Sequence, residues 1–439
     1  MQRGGGADAL LQAIFGHSQG AAELVGASQG GWEEGQGEDD AFAGEEEQLE
    51  AAGGGGGGAQ LELDAEPEEV IRRIQSAALW FVSQLAEGAL PDIDLVSRTA
   101  ANRELMAAGD GEEAEGQGDE EAGGGGSRHF VLRMQQGMQR RSLLGRHPES
   151  AEQVARLWVL LGAVHAMLLS GEQATQRELW YRFKTLEVFR SPRDVGEAIQ
   201  DAVSMLQVPR SALGITASSK GLVGGRLVIH NQRTGTETDC SLAAAGVAVP
   251  GDVGAILRDL AFQTDAQLIL VVEKDAVFQR LLQTRFYDRV PSIICTGKGV
   301  PDLATRAFLS SLSLSFPSVP LAGLVDWNPA GANILTIYRF GSHRMGLESP
   351  HYALPTLGWL GAHASQLRQA DADAFQELTA RDRSQATNLA ATLEAACPAW
   401  AEELRQMVAS GAKAELEALD TVEELPALLE RCIVEGDCI

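Results

Sequence analysis

Between Pro67 and about Glu87 the apolar positions Val70, Ile71, Ile74, Ala77, Ala78, Phe81, Val82 and Leu85 fall on one stripe, which predicts an amphipathic helix. Pro67 in the first turn costs no helical hydrogen bond, and Glu68 and Glu69 suit the positive end of the helix dipole. Further helices are predicted over Glu152 to Leu169 and over Gln173 to about Glu187. Ser191-Pro192-Arg193-Asp194 reads as a cap and first turn, opening a helix with Val195, Ile199, Val203 and Leu206 at helical spacing. Short strands are expected at Leu213 to Ile215 and Gly225 to His230, around the turn Ser218-Ser219-Lys220-Gly221. Three helices followed by a β-wing is the pattern of a winged-helix domain, a helix-turn-helix variant.

Past Ala261 the periodicity changes. Leu268-Ile269-Leu270-Val271-Val272 runs into Glu273, and Leu321-Ala322-Gly323-Leu324-Val325 runs into Asp326. Short aliphatic runs without alternation read as buried parallel strands. With Ser292 to Thr296 between them, the βαβ rhythm predicts a parallel sheet. In open α/β sheets the ligand crevice lies beyond the carboxyl ends of such strands. Two acids placed there can share a hard cation, typically Mg²⁺. Asn328, two residues after Asp326, could add a neutral oxygen. Taken singly, an acid at a strand end is as often a cap or turn residue. Beyond Ala370 the chain turns to Ala, Glu and Leu and reads as terminal helices without chemistry.

Charge divides the chain unevenly. Residues 1–127 carry 27 acids against 5 bases and 26 of the 49 glycines, with runs at Gly53 to Gly58 and Gly123 to Gly126. Residues 1–65 and the insert 107–127 therefore read as disordered. Residues 371–439 carry 15 acids against 5 bases, whereas residues 128–370 hold 25 bases against 19 acids. The formal net charge of −26 thus conceals a mildly basic core. That balance suits a polyanion, although it is also ordinary for a soluble domain. An amphipathic helix set between two low-complexity segments either packs on its own core or docks into a partner.

The five cysteines, Cys240, Cys295, Cys397, Cys432 and Cys438, are scattered and lack CxxC spacing, which argues for reduced intracellular thiols over a disulfide framework or a zinc site. The apolar stretch Leu157 to Leu169 reads as too short to span a bilayer, and the first thirty residues lack a signal-peptide pattern. Thr296-Gly297-Lys298-Gly299 is not a Walker A loop, and no ATP site is legible elsewhere.

Tyr181 is the candidate nucleophile. A phenol with an ordinary pKa near ~10 needs help at neutral pH. Arg177, one helical turn earlier, shares its face and could stabilise charge building on phosphorus. Arg182 points elsewhere, towards a neighbouring phosphate. A tyrosine beside Trp180 on an amphipathic helix is, taken alone, more often a core residue.

Five segments in order resemble one family. They are Ala174-Thr175-Gln176-Arg177-Glu178-Leu179-Trp180-Tyr181, Ala217-Ser218-Ser219-Lys220-Gly221-Leu222-Val223, Val271-Val272-Glu273-Lys274-Asp275-Ala276-Val277-Phe278, Thr296-Gly297-Lys298-Gly299-Val300-Pro301-Asp302 and Asp326-Trp327-Asn328-Pro329-Ala330-Gly331. Over roughly Arg128 to Leu367 the chain resembles the meiotic double-strand-break transesterases (the Spo-eleven family), relatives of the topoisomerase VI A-type protein, and looks most like their plant and green-algal branch.

The resemblance implies an α/β chain (α+β overall), with a winged-helix domain at 128–235, a Toprim metal-binding domain at 255–370 and C-terminal helices at 371–439. It implies that Tyr181, aided by Arg177, attacks a DNA phosphodiester to leave a 5′-phosphotyrosyl link and a free 3′-OH. Glu273, Asp326 and Asn328 would hold Mg²⁺, and Lys220, Arg182 and Lys298 would contact duplex DNA. The tyrosine of one protomer would work with the acids of the other, giving a homodimer of A-type subunits. The segment 66–106 would dock a topoisomerase VI B-like subunit through Ile74, Phe81 and Leu85, in an A2B2 assembly acting in the nucleus away from any membrane. Two departures stand out: Trp180-Tyr181 replaces the family's frequent Tyr-Tyr, and Asp326-x-Asn328 replaces Asp-x-Asp. A topoisomerase VI-type protein that cleaves and reseals, a non-catalytic DNA-binding paralogue and a hydrolytic Toprim nuclease are the rival readings.

Overall fold

The computed structural model describes residues 61–98, 102–107, 130–134, 137–143 and 148–439. Of the two segments expected to be disordered, 1–65 and 107–127, residues 1–60 and 108–127 lie outside the described residues. Helix α1 (Pro67–Ala86) forms as the stripe predicts, with Pro67 in its first turn. It packs on this chain's own core: Val70, Ile74 and Ala78 are buried, and the Phe81 ring lies 4.9 Å from that of Trp158. Leu79, Trp80 and Leu85 stay exposed.

Trp158 belongs to α2 (Pro148–Ser170). By length and composition α2 could cross a membrane, which corrects the expectation that this stretch is too short. Its Val154, Leu157, Leu161 and Val164 are nonetheless buried, and it packs against α4 (Pro192–Leu206) as a core helix does. Between them α3 (Gln176–Phe183) is shorter than expected, and is closed at its start by a reciprocal cap between Thr175 and Glu178. Asp194 accepts the Ser191 N–H at 2.8 Å and so fixes the first turn of α4.

The strand expected at Gly225 to His230 divides in two. Strand β1 (Leu222–Gly225) stops where Gly225 takes a positive φ of 88°, and a separate strand, Val228–Asn231, follows. The second piece joins a small antiparallel sheet with Thr236–Asp239 and Leu260–Gln263. β1 instead becomes part of the main sheet, pairing antiparallel with β4. That sheet has six strands: β1, β2 (Val247–Ala248), β3 (Leu268–Val272), β4 (Ser292–Thr296), β5 (Leu321–Leu324) and β6 (Gly358–Gly361). Their spatial order is β2-β1-β4-β3-β5-β6, with β4, β3, β5 and β6 mutually parallel.

All residues of β3, β4 and β5 are buried, because helices cover the sheet. The crossovers run through α5 (Asp275–Gln283), α6 (Leu303–Ser315) and α7 (Pro329–Phe340), which contribute Phe278, Phe308 and Leu335 to one apolar core. The C-terminal helices Ala380–Leu393, Pro398–Ser410 and Leu425–Glu435 extend that core, and Trp400 meets Trp359 of β6 edge to face at 5.9 Å. A buried polar cluster ties the helical part to the sheet. Glu348 accepts the Arg210 N–H at 2.8 Å, Arg210 Nε at 3.0 Å and Gln200 Nε2 at 2.9 Å. Beside it Arg306 of α6 is buried, and burial holds its guanidinium down at about 10.

Candidate active site

β3 and β5 are neighbours, so the residues that follow them emerge side by side at the carboxyl edge of the sheet. Glu273 donates its backbone N–H to Leu324 C=O at 3.0 Å, continuing the ladder one step past the end of β3. Asp326 then donates its backbone N–H to Glu273 Oε2 at 2.9 Å. Gly331 has to be small here: a Cβ on it would sit 2.4 Å from the Asp326 carbonyl oxygen. The two acids are thus brought together as their strand positions imply.

Both are largely buried, and both pKa values rise. Burial first, then the nearby Asp326 charge, pushes Glu273 up to about 7, against the Asp326 N–H and Lys274. Burial likewise raises Asp326, while the Leu416 N–H and Lys274 oppose it. Two carboxylates held together at this cost are a fitting pair for a hard cation, which would relieve their repulsion and desolvation. Among the described residues no group of three or more His, Cys, Asp or Glu side chains is placed to hold a metal ion.

Asn328 stands at the turn that follows Asp326. Its Oδ1 accepts the Gly331 N–H at 2.7 Å and caps α7. Lys298 lies on the same edge. It takes a φ of +52° and Gly299 one of +88°, a double left-handed turn that lets the Gly299 N–H donate to Glu273 C=O at 2.9 Å. Lys298 Nζ pairs with Asp275 at 3.2 Å, and Lys220 Nζ donates to the Lys298 carbonyl at 3.1 Å. Asp302 accepts the Lys220 N–H at 2.9 Å. Lys220, Lys298, Glu273 and Asp326 therefore share one rim.

Tyr181 lies on a different element, α3. It is half exposed on α3, with the Arg177 guanidinium 5.9 Å and the Lys184 ammonium 5.0 Å from its ring centroid. This exposure is unlike that of a core tyrosine; Leu179 and Phe183 supply the buried face of the same helix. Arg182 lies in the last turn of α3, and the Thr175 backbone and side-chain hydrogen bonds, with a smaller contribution from the Arg182 charge, hold Glu178 below the ordinary carboxylate range. Among the described residues no hydrogen bond or ion pair joins Tyr181 or Arg177 to Glu273 or Asp326. Of the proposed docking residues, Ile74 is fully buried, Phe81 is half-buried against Trp158, and Leu85 is exposed.

The C-terminal segment, expected to carry no chemistry, reaches the site. Leu416 donates its backbone N–H to Asp326 Oδ1 at 2.8 Å, and Ala414 donates to the Trp327 carbonyl at 3.0 Å. Glu403 accepts Trp327 Nε1 at 2.7 Å. Lys274 pairs with Asp326, Glu415 and Glu417 at 3.1, 2.9 and 2.7 Å. Burial works against the Lys274 charge, but the carboxylates of Glu417, Glu415 and Asp326 outweigh it and raise its pKa. The only sequence signal for this contribution was the acidity of the tail.

A family model for the Toprim domain shared by Spo11 and the A-type protein of topoisomerase 6 matches residues 268–428, and one for type IIB DNA topoisomerase matches residues 152–215. The chain is 38% identical over 388 residues to meiotic recombination protein SPO11-2 of Oryza sativa subsp. japonica, spanning 85% of this chain and 94% of that one. It is 37% identical over 276 residues to meiotic recombination protein SPO11 of Homo sapiens, spanning 62% of this chain and 68% of that protein. The A-type protein of DNA topoisomerase 6 from Arabidopsis thaliana is 34% identical over 266 residues, 60% of each chain.

Proposed function

The chain belongs to the family of Spo11 and the topoisomerase 6 A-type proteins, and from that premise we propose that it cuts duplex DNA by transesterification to start meiotic recombination. The observation that carries this reading is the buried Glu273–Asp326 pair at the ends of adjacent parallel strands, joined through the Asp326 N–H at 2.9 Å.

Tyr181 attacks a backbone phosphorus. Its phenolic oxygen forms the new P–O bond, and the 3′ oxygen leaves and takes up a proton as a free 3′-OH. Arg177, on the same helical face, offsets charge on the phosphoryl oxygens. The winged-helix-type arrangement around α3 presents the tyrosine to the duplex, while Lys220, Arg182 and Lys298 meet backbone phosphates. Glu273 and Asp326 would hold Mg²⁺, with Asn328 keeping the turn in place through its cap. When bound, the cation would polarise a phosphoryl oxygen and neutralise developing charge.

As the family resemblance implies, the tyrosine of one copy works with the acids of another, in a site completed between two copies. The reading is therefore a homodimer in the nucleus, one tyrosine per DNA strand, assembled with a B-type subunit. The chain's likeness to the A-type protein of topoisomerase 6 sustains the second reading, in which cleavage is followed by resealing.

Covalent capture tests the proposal. The protein and its B-type partner are incubated with Mg²⁺ and end-labelled duplex, denatured, and compared with Tyr181→Phe and Glu273→Ala. A labelled adduct lost in both variants is expected. Cleavage with free 5′-phosphates and no adduct would mean hydrolysis and remove Tyr181 from its role. Resealing on addition of ATP would favour the topoisomerase reading.

A further inference from the structure

Lys274 already pairs with a carboxylate oxygen of Asp326 that a cation would use. Its Nζ lies 3.1 Å from Asp326 Oδ1, 2.9 Å from Glu415 Oε2 and 2.7 Å from Glu417 Oε2. Three carboxylate oxygens thus match the three protons of one ammonium. The three acceptors are not alike. Asp326 is buried, and its Oδ1 already accepts the Leu416 N–H at 2.8 Å. The Glu415 and Glu417 side chains are more than half exposed and have no role in the cation pair itself.

This asymmetry has a mechanical consequence. A divalent ion and an ammonium cannot crowd the same Asp326 oxygen without strong repulsion. The lysine has no need to move into bulk water to make way, because two carboxylates already hold it from the tail side. Resting on the reading of Glu273 and Asp326 as a cation site, we propose that Lys274 is the resident counter-ion of Asp326, and that an incoming divalent cation displaces it onto Glu415 and Glu417. In the cation-free chain Lys274 keeps the buried acid from facing an unbalanced charge. In the loaded chain the tail acids retain it close by, so the site can reset. Lys274, Glu415 and Glu417 are positioning residues in this scheme.

The two halves of the device predict opposite signs, which a purely structural role would not give. Mn²⁺ binding to the whole chain without DNA, read by the electron paramagnetic resonance of free Mn²⁺, is the measurement. Lys274→Met removes the competitor and is expected to tighten Mn²⁺ binding by about threefold or more. Glu415→Gln combined with Glu417→Gln leaves the ammonium with Asp326 alone and is expected to weaken binding by a similar factor. Lys274→Arg keeps the charge and should stay close to wild type. Equal or weaker binding by Lys274→Met overturns the inference, as does unchanged binding in the double glutamine variant. The latter alters exposed side chains, so it remains readable should Lys274→Met fold poorly. Glu273→Gln separates the two levels of argument. Wild-type Mn²⁺ binding that Glu273→Gln abolishes, with Lys274→Met neutral, would sink the counter-ion role while leaving the cation site standing. A wild-type chain that takes up no Mn²⁺ would overturn both.

Discussion

Asp326 donates its backbone N–H to the Glu273 carboxylate at 2.9 Å, so the two acids are coupled through a peptide as well as through their charges. The bond steadies ionised Glu273, yet burial and the Asp326 charge still push its pKa from the ordinary 4.5 up to about 7. Between those two values the folded chain holds a proton that the unfolded chain has released. The stability Glu273 contributes is therefore full below about pH 4.5 and is lost as pH rises through about 7. In EDTA, urea unfolding should show wild type losing stability over that window by up to roughly 3 kcal/mol more than Glu273→Gln. Parallel pH profiles for the two proteins would remove Glu273 as the titrating group.

Arg177 shares the exposed face of α3 with Tyr181, its guanidinium 5.9 Å from the ring centroid. Arg177→Ala should lower the rate of adduct formation by roughly 100-fold, the usual loss when one donor to a developing anion is removed. Duplex affinity, measured by fluorescence anisotropy, should change much less. A loss confined to affinity would make Arg177 a DNA-holding residue instead.

Helix α1 has two faces, and they predict different failures. Ile74 is fully buried, so Ile74→Ala should cost about 2–4 kcal/mol in urea unfolding. Trp80 and Leu85 are more than 40% exposed, so alanine there should shift stability by no more than about 0.5 kcal/mol. The same two substitutions should weaken capture of a B-type partner several-fold or more. Undiminished capture would place that partner's contact elsewhere.

Glu348 is completely buried and gathers Arg210 and Gln200 onto one carboxylate. Glu348→Ala takes away the charge facing Arg210 and should cost about 3–5 kcal/mol. Because the cluster links the helical part to the sheet, the variant's calorimetric trace should also broaden or split. A single sharp transition at the wild-type temperature would show the cluster to be dispensable.

The strand ends were readable because a parallel sheet covered on both faces demands unbroken aliphatic runs, and Glu273 and Asp326 interrupt two of them. The cap at Ser191 was readable for an equally local reason, whereas the cap at Thr175 falls inside the helix expected from Gln173. Other features depend on which surfaces meet. The stripe of α1 announced an apolar face but could not say that Ile74 meets this chain's own core. Leu222–Gly225 is too short a segment to declare its sheet, and only its pairing with Ser292–Thr296 does so. Asn328 had the right composition for a ligand, and its cap to Gly331 is a matter of geometry. Glu415 and Glu417 were invisible as site residues because they meet Lys274 across 141 and 143 positions of chain.

That separation also sets a clock. Chains emerge from the ribosome amino end first and fold as they lengthen. Strands β3 and β5, with Glu273 and Asp326 at their ends, are synthesised well before residues 414–417. Until they appear, Asp326 lacks the Leu416 N–H, and Lys274 has only Asp326 to hold it. A translation product stalled before Glu415 would therefore carry the acid pair without the tail contacts that complete its surroundings.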